Sequence, residues 1–224
     1  MELSNEFAGY AGLFLLLTLF VLLAISINRG RKGKRILMAL AEEFGLAYQP
    51  RHPGRSGPFN PWICLEGRIG ERNIRILKGQ EQSLFGKVPV LEIDLRLREQ
   101  NGLTIRINAN NLAGRSTRIK GLKSFKTANP ALDKLTVVRS NKPDIAHAML
   151  AMPELADGIA SVFARHKIKG FIEITQNYLH YEESSRALYT EKHRQRICDT
   201  TRLCVRLANA ADIVSELADA PAKS

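Results

Sequence analysis

Hydrophobic positions fall into three regimes along the chain. From Phe7 to Asn28 there are 22 residues without a charge, and the centre, Leu13 to Ile27, holds only Thr18 and Ser26 as polar residues. At about 1.5 Å per residue such a run matches a hydrocarbon core of roughly 30 Å, so the pattern predicts a transmembrane helix over residues 7–28 behind a short non-cytoplasmic tail, 1–6. Glu2 and Glu6 precede the run and the basic residues follow it, the reverse of a cleaved signal peptide, so a retained signal-anchor is expected.

After a break expected at Gly33, Leu37, Leu40, Ala41 and Phe44 recur at helical spacing up to Gly45, which reads as a stop. From Trp62 to Asn108 the period becomes two. Placing Gly70 and Glu71 in a two-residue turn sets Leu65 opposite Ile76 and Gly67 opposite Ile74. A three-residue loop, Gln100 to Gly102, would set Leu97 against Ile105 and Leu95 against Ile107. The outer face would then carry Asp94, Arg96, Arg98, Thr104 and Arg106, as on a wetted sheet. A strand at Leu135–Val138 and two helices follow, one from Pro143 with Asn141 as its cap, the other from Pro153. Next comes a hairpin pairing Ile174 with Leu179 and Ile172 with Tyr181, and last a helix over about 188–218.

The expected fold is therefore α+β: an N-terminal transmembrane helix, then a mainly antiparallel-sheet domain with packing helices and a long C-terminal helix. Residues 29–35 form a basic juxtamembrane segment, 36–218 the domain and 219–224 a disordered tail. In the last helix Leu203, Leu207, Val214 and Leu217 form a stripe that serves either packing within the domain or a homodimer seam.

Charge refines the picture. Lys and Arg number 33 against 22 Asp and Glu, a formal net charge of +11. Arg29, Arg31, Lys32, Lys34 and Arg35 follow the apolar run, which predicts a single-pass membrane protein, its N-terminus outside and its domain cytoplasmic. The same five residues suit lipid headgroups. The stretch from Gln100 to Leu132 has no acidic residue but holds Arg106, Arg115, Arg118, Lys120, Lys123 and Lys126, a candidate site for an anionic headgroup or phosphorylated ligand. Its glycines match no phosphate-binding fingerprint. Nucleic-acid binding is disfavoured, since Phe125 is the only aromatic between Arg106 and Lys126.

Candidate chemistry is sparse. Five histidines are scattered, no Cys-x-x-Cys occurs, and three cysteines form no disulfide framework, so neither metal nor cofactor is expected. His180, beside Tyr178, Tyr181 and Glu182, is the best placed histidine, yet sequence shows it no positioned partner, and no catalytic residue is assigned.

The succession Leu135 to Arg139, Ser140, Asn141, Pro143, Ala146, Leu150, Pro153 and Leu155, then Tyr178 to Tyr181, resembles a family of uncharacterised bacterial inner-membrane proteins with one or a few spans and a cytoplasmic α+β domain. The resemblance covers about residues 125–181, implies an inner-membrane location and carries no catalytic residue. The expected function is a membrane-anchored, non-enzymatic interaction or scaffold domain with a protein partner and membrane lipids around it. Anionic-ligand binding through residues 106–126 and an unrecognised hydrolase are the alternatives.

Overall fold

The computed structural model describes residues 2–51, 62–83, 86–98, 102–110, 121–184 and 190–219. Helix α1 runs unbroken over Glu2–Phe44, passing through both Gly30 and Gly33. The break expected at Gly33 is absent because a helical glycine costs only about 1 kcal/mol relative to alanine, less than the loss of a turn of hydrogen bonds. The helix stops where expected, at Gly45, whose φ of +65° an L side chain resists.

The membrane reading is corrected here. Among the described residues no helix is long and apolar enough to cross a membrane. Helix α1 instead continues without interruption into the exposed Arg31, Lys32, Lys34 and Arg35. The transmembrane helix, the signal-anchor and the single-pass inner-membrane topology built on it lose their support. Apart from Thr18, Phe14 to Ile25 are exposed apolar residues on α1.

Among the described residues nine strands form one antiparallel sheet: β1 (Ala47–Gln49), β2 (Ile63–Ile69), β3 (Arg72–Ser83), β4 (Gly86–Arg96), β5 (Ile105–Ala109), β6 (Lys123–Phe125), β7 (Thr136–Ser140), β8 (Gly170–Ile174) and β9 (Tyr178–Ser184). Their order is β1-β2-β3-β4-β9-β8-β5-β7-β6. The β2–β3 register pairs Leu65 with Ile76 and Gly67 with Ile74, and β8–β9 pairs Ile174 with Leu179 and Ile172 with Tyr181, as the alternation requires. The expected pairing of β4 with β5 does not form. The β8–β9 hairpin inserts between them, so Leu95 meets Leu179, and Ile105 meets Ile174 and Ser140. Alternation fixes which face a residue takes, and Leu179 and Ile107 satisfy it equally well beside Leu95.

The inward face of the sheet, including Leu65, Ile76, Ile93, Ile107, Ile172 and Tyr181, packs against the C-terminal part of α1 and against α2 (Pro130–Leu135), α3 (Pro143–Leu150), α4 (Leu155–His166) and α5 (Glu191–Asp219). Asn129 caps α2, its side chain accepting from the Leu132 N–H. Asn141 does not cap α3. Its side chain accepts from Thr104 N–H and donates to the Gly102 carbonyl, tying the β7 exit to the chain entering β5. Leu203, Leu207 and Val214 are buried against their own domain, which uses the stripe for packing; the Leu217 side chain lies outside the described residues, as do residues 220–224 of the expected tail.

On the opposite face a smaller cluster gathers Trp62, Cys64, Leu77 and Val90. The Trp62 indole lies over Gly79 so closely that a Cβ there would stand 2.2 Å from Trp62 Cδ2. Gly79 is the point where the sheet lets an aromatic ring touch its backbone.

Candidate functional site

Because neighbours across strands share a face, one row of side chains can be followed over the uncovered side of the sheet. Glu66 on β2 stands beside Arg75 on β3, then Asp94 on β4, His180 on β9, Glu173 on β8, Arg106 on β5 and Arg139 on β7. Charge alternates along the row as far as Arg106, as cross-strand pairing favours. The buried apolar side chains of the described helices join the core on the other face.

The centre of the row is tightly bonded. Asp94 accepts from Arg75 at 3.0 Å and meets His180 Nδ1 at 2.7 Å, while His180 Nε2 lies 3.7 Å from Glu182. Arg106 reaches Glu173 at 2.7 Å, donates to Asn108 at 3.1 Å, and sits 3.9 Å over the Phe171 ring. Phe171 in turn faces His180, the two ring centroids 5.7 Å apart. These links join Arg75 to Arg106 in one continuous network.

Burial alone would disfavour a charged imidazole, but hydrogen bonds to Asp94 and Glu182 and the negative charges of Asp94 and Glu92 outweigh it, raising His180 to about 9. Burial likewise opposes the Asp94 charge, and the bonds to His180 and Arg75 outweigh it, holding that carboxyl below its ordinary range. At neutral pH the imidazolium therefore uses its ring N–H groups as donors and has no lone pair for general-base work. Burial pushes the Cys64 thiol up to about 11, and burial together with Glu43 pushes Cys198 up to about 12, so neither is a ready nucleophile. Among the described residues no group of three or more His, Cys, Asp or Glu side chains is placed to hold a metal ion.

Beneath the sheet Arg196 pairs with the buried Glu183, and Lys78, depressed to about 8 by burial and by Arg196, lies close by. That group lies between the sheet and α5.

The basic set Arg106, Arg115, Arg118, Lys120, Lys123 and Lys126 does not assemble among the described residues. Arg115, Arg118 and Lys120 lie outside them. Arg106 is committed to Glu173 and Phe171, whereas Lys123 on β6 pairs with Ser140 and so takes the face opposite Arg106, and Lys126 follows the strand's end. Arg31, Lys32, Lys34 and Arg35 are exposed along α1, and the Arg29 side chain is outside the described residues. Sequence missed Asp94 as the partner of His180 because the β4–β9 pairing was not foreseen; the available signal was that Arg75, Asp94, Glu173 and His180 each occupy the polar phase of a strand.

No family model matches the chain, and no curated protein matches it. Among solved structures, the crystal structure of the mycobacterial trehalose monomycolate transport factor A, TtfA, superposes with a TM-score of 0.51 over 82% of this chain and 93% of that one, at 11% sequence identity. The likeness is one of fold. The TtfA superposition covers most of both chains, so the comparison reaches well beyond a single supersecondary unit.

Proposed function

We propose that the chain is a non-enzymatic interaction domain whose partner surface is the uncovered face of the sheet. The observation that carries this reading is the continuous row from Arg75 to Arg106, in which each charge is held in place by a neighbour while the row faces away from the helices. A rigid, pre-paired charge pattern specifies register and partner better than it drives chemistry, because complementary charges steer association and reject mismatched surfaces. The exposed apolar residues Phe14 to Ile25 add a surface of the kind that marks interaction sites. The name of TtfA, a transport factor, describes a role in a process and no reaction, which accords with an accessory domain.

The test is site-specific photocrosslinking of the full chain in its native cells, with the probe at Tyr178 or Glu182 on the open face and at Ile213, exposed on α5, as control. One recurring adduct from both sheet positions, absent from Ile213 and lost on Arg75→Glu, is expected. Equal adducts from all three positions, or none from the sheet, would sink the reading.

A further inference from the structure

Two open clefts meet at the end of the β3–β4 pair. One, of about 620 Å³, lies on the uncovered face and is lined among others by Arg75, Asp94, Asn177 and Tyr178; the other, of about 520 Å³, lies against α5 and is lined among others by Arg72, Arg98 and Asp212. Asn73 and Arg96 line both, so the two clefts adjoin at the sheet's end, and they are treated together as one groove. Together they exceed the roughly 300–1,000 Å³ of an ordinary small-molecule pocket, which suits an extended chain.

Most cations of the groove are already committed. Arg72 holds Asp212 at 2.6 Å and Asn209 at 2.8 Å, Arg75 holds Asp94, and Arg98 reaches Glu216. Arg96 differs: it is exposed at the junction and has no ion pair among the described residues. Directly across the strand pair stands Tyr178, 49% exposed, which places an exposed aromatic residue next to Arg96. Such a pair can grip a carboxylate bidentately and cover the apolar group next to it, while the amides of Asn73 and Asn177 can bond a passing backbone.

We infer that this groove receives an extended peptide segment of the partner, with an acidic side chain on Arg96 and a neighbouring apolar residue on Tyr178. The inference rests on the interaction-domain reading and names the chemistry of the partner.

The probe is acetyl-glycyl-phenylalanyl-glutamyl-glycinamide, titrated into the 15N-labelled full chain and followed by NMR shifts of Asn73, Arg96, Asn177 and Tyr178. Saturable shifts confined to the groove are expected, with affinity falling at least tenfold for the glutaminyl analogue and for Arg96→Gln, severalfold for Tyr178→Ala, and unchanged for Lys123→Gln. Unchanged thermal melting of Arg96→Gln shows that it folds. Absence of shifts, or insensitivity to Arg96→Gln, overturns the inference, and glutarate binding as tightly as the peptide overturns it in favour of a small-anion site. If the sheet-face crosslinks persist while the peptide fails, the groove assignment alone falls; if the crosslinks fail, the underlying reading falls.

Discussion

His180 Nδ1 lies 2.7 Å from Asp94 Oδ1, joining residues 86 positions apart through the β4–β9 pairing. Asp94 uses its other oxygen on Arg75, so one carboxylate links three neighbouring strands. The bond is strong because both partners are charged, and its placement at the middle of the sheet ties the two halves of the polar row together.

Stability should therefore fall in alkali. His180 in the folded chain is held at about 9, above the ordinary value of about 6.5, so its stabilisation is complete below about pH 6.5 and is lost as pH rises through about 9. The lost contribution is on the order of 1–3 kcal/mol, since one pKa unit corresponds to about 1.4 kcal/mol and the pair is partly solvated. Urea melts at pH 6.5 and 9.5 should show the difference, and His180→Gln should shrink it. An equal pH difference in the variant would exclude His180 as its source.

Replacing Asp94 with Asn tests the same pair from the other side. The variant keeps the shape but leaves Arg75 and His180 without their charged acceptor, and a decrease of about 2–3 kcal/mol is expected. The His180 ring, followed by NMR, should titrate at least one pH unit lower. A titration curve that does not move would mean that Glu182 and Glu92 alone sustain the raised value.

The local parts of this site were legible in sequence, and the assembled site was not. Hairpins declare their own register: Leu65 with Ile76 and Ile172 with Tyr181 follow from turn position and alternation. Strand neighbours far apart in the chain declare nothing, because β5 and β9 both present apolar residues at every second position and either could flank β4. Asp94 and His180 each stood on a polar phase, yet only the non-local pairing made them partners. The apolar run of α1 misled in a different way, since the helix that carries it runs on without a break into a basic segment, and no helix among the described residues is long and apolar enough to cross a membrane. The stripe of α5 had two uses by pattern alone, and burial of Leu203 and Leu207 decided between them.

That decision makes a prediction of its own. Leu207 is fully buried against the domain, so Leu207→Ala should remove about 2–5 kcal/mol of stability through lost contacts and a residual cavity. Chemical denaturation at two protein concentrations tenfold apart should give the same midpoint shift. A shift that depends on concentration would point to a seam between chains.

Gly79→Ala probes the cluster on the opposite face. The new methyl would lie 2.2 Å from Trp62 Cδ2, a distance no carbon pair tolerates, so the indole must move off the sheet. A decrease of about 1–3 kcal/mol is expected for such overpacking. The chain has one tryptophan, so its fluorescence reports Trp62 without interference and should shift to longer wavelength as the ring gains solvent. An unshifted spectrum with full stability would show that the ring does not rest on Gly79 in solution.

Glu43 fastens the end of α1 to α5. Its carboxylate takes Arg202 at 2.8 Å, pairs with Arg194, and accepts from the Cys198 thiol at 3.2 Å, at a point where the two helices have only side chains to hold them together. Glu43→Gln weakens two ion pairs that are partly exposed, so the loss of global stability should be modest, about 1 kcal/mol. The local effect should be larger. The Cys198 thiol is raised to about 12 first by burial and then by Glu43, and removing the negative charge lowers it while loosening the cover over it. Labelling of Cys198 by a thiol reagent under native conditions should accelerate severalfold, with Cys204, buried deeper along the same helix, as the internal reference. If Cys198 and Cys204 accelerated together, global unfolding would be the route to both thiols; acceleration of Cys198 alone marks the α1–α5 junction as the part that Glu43 holds closed.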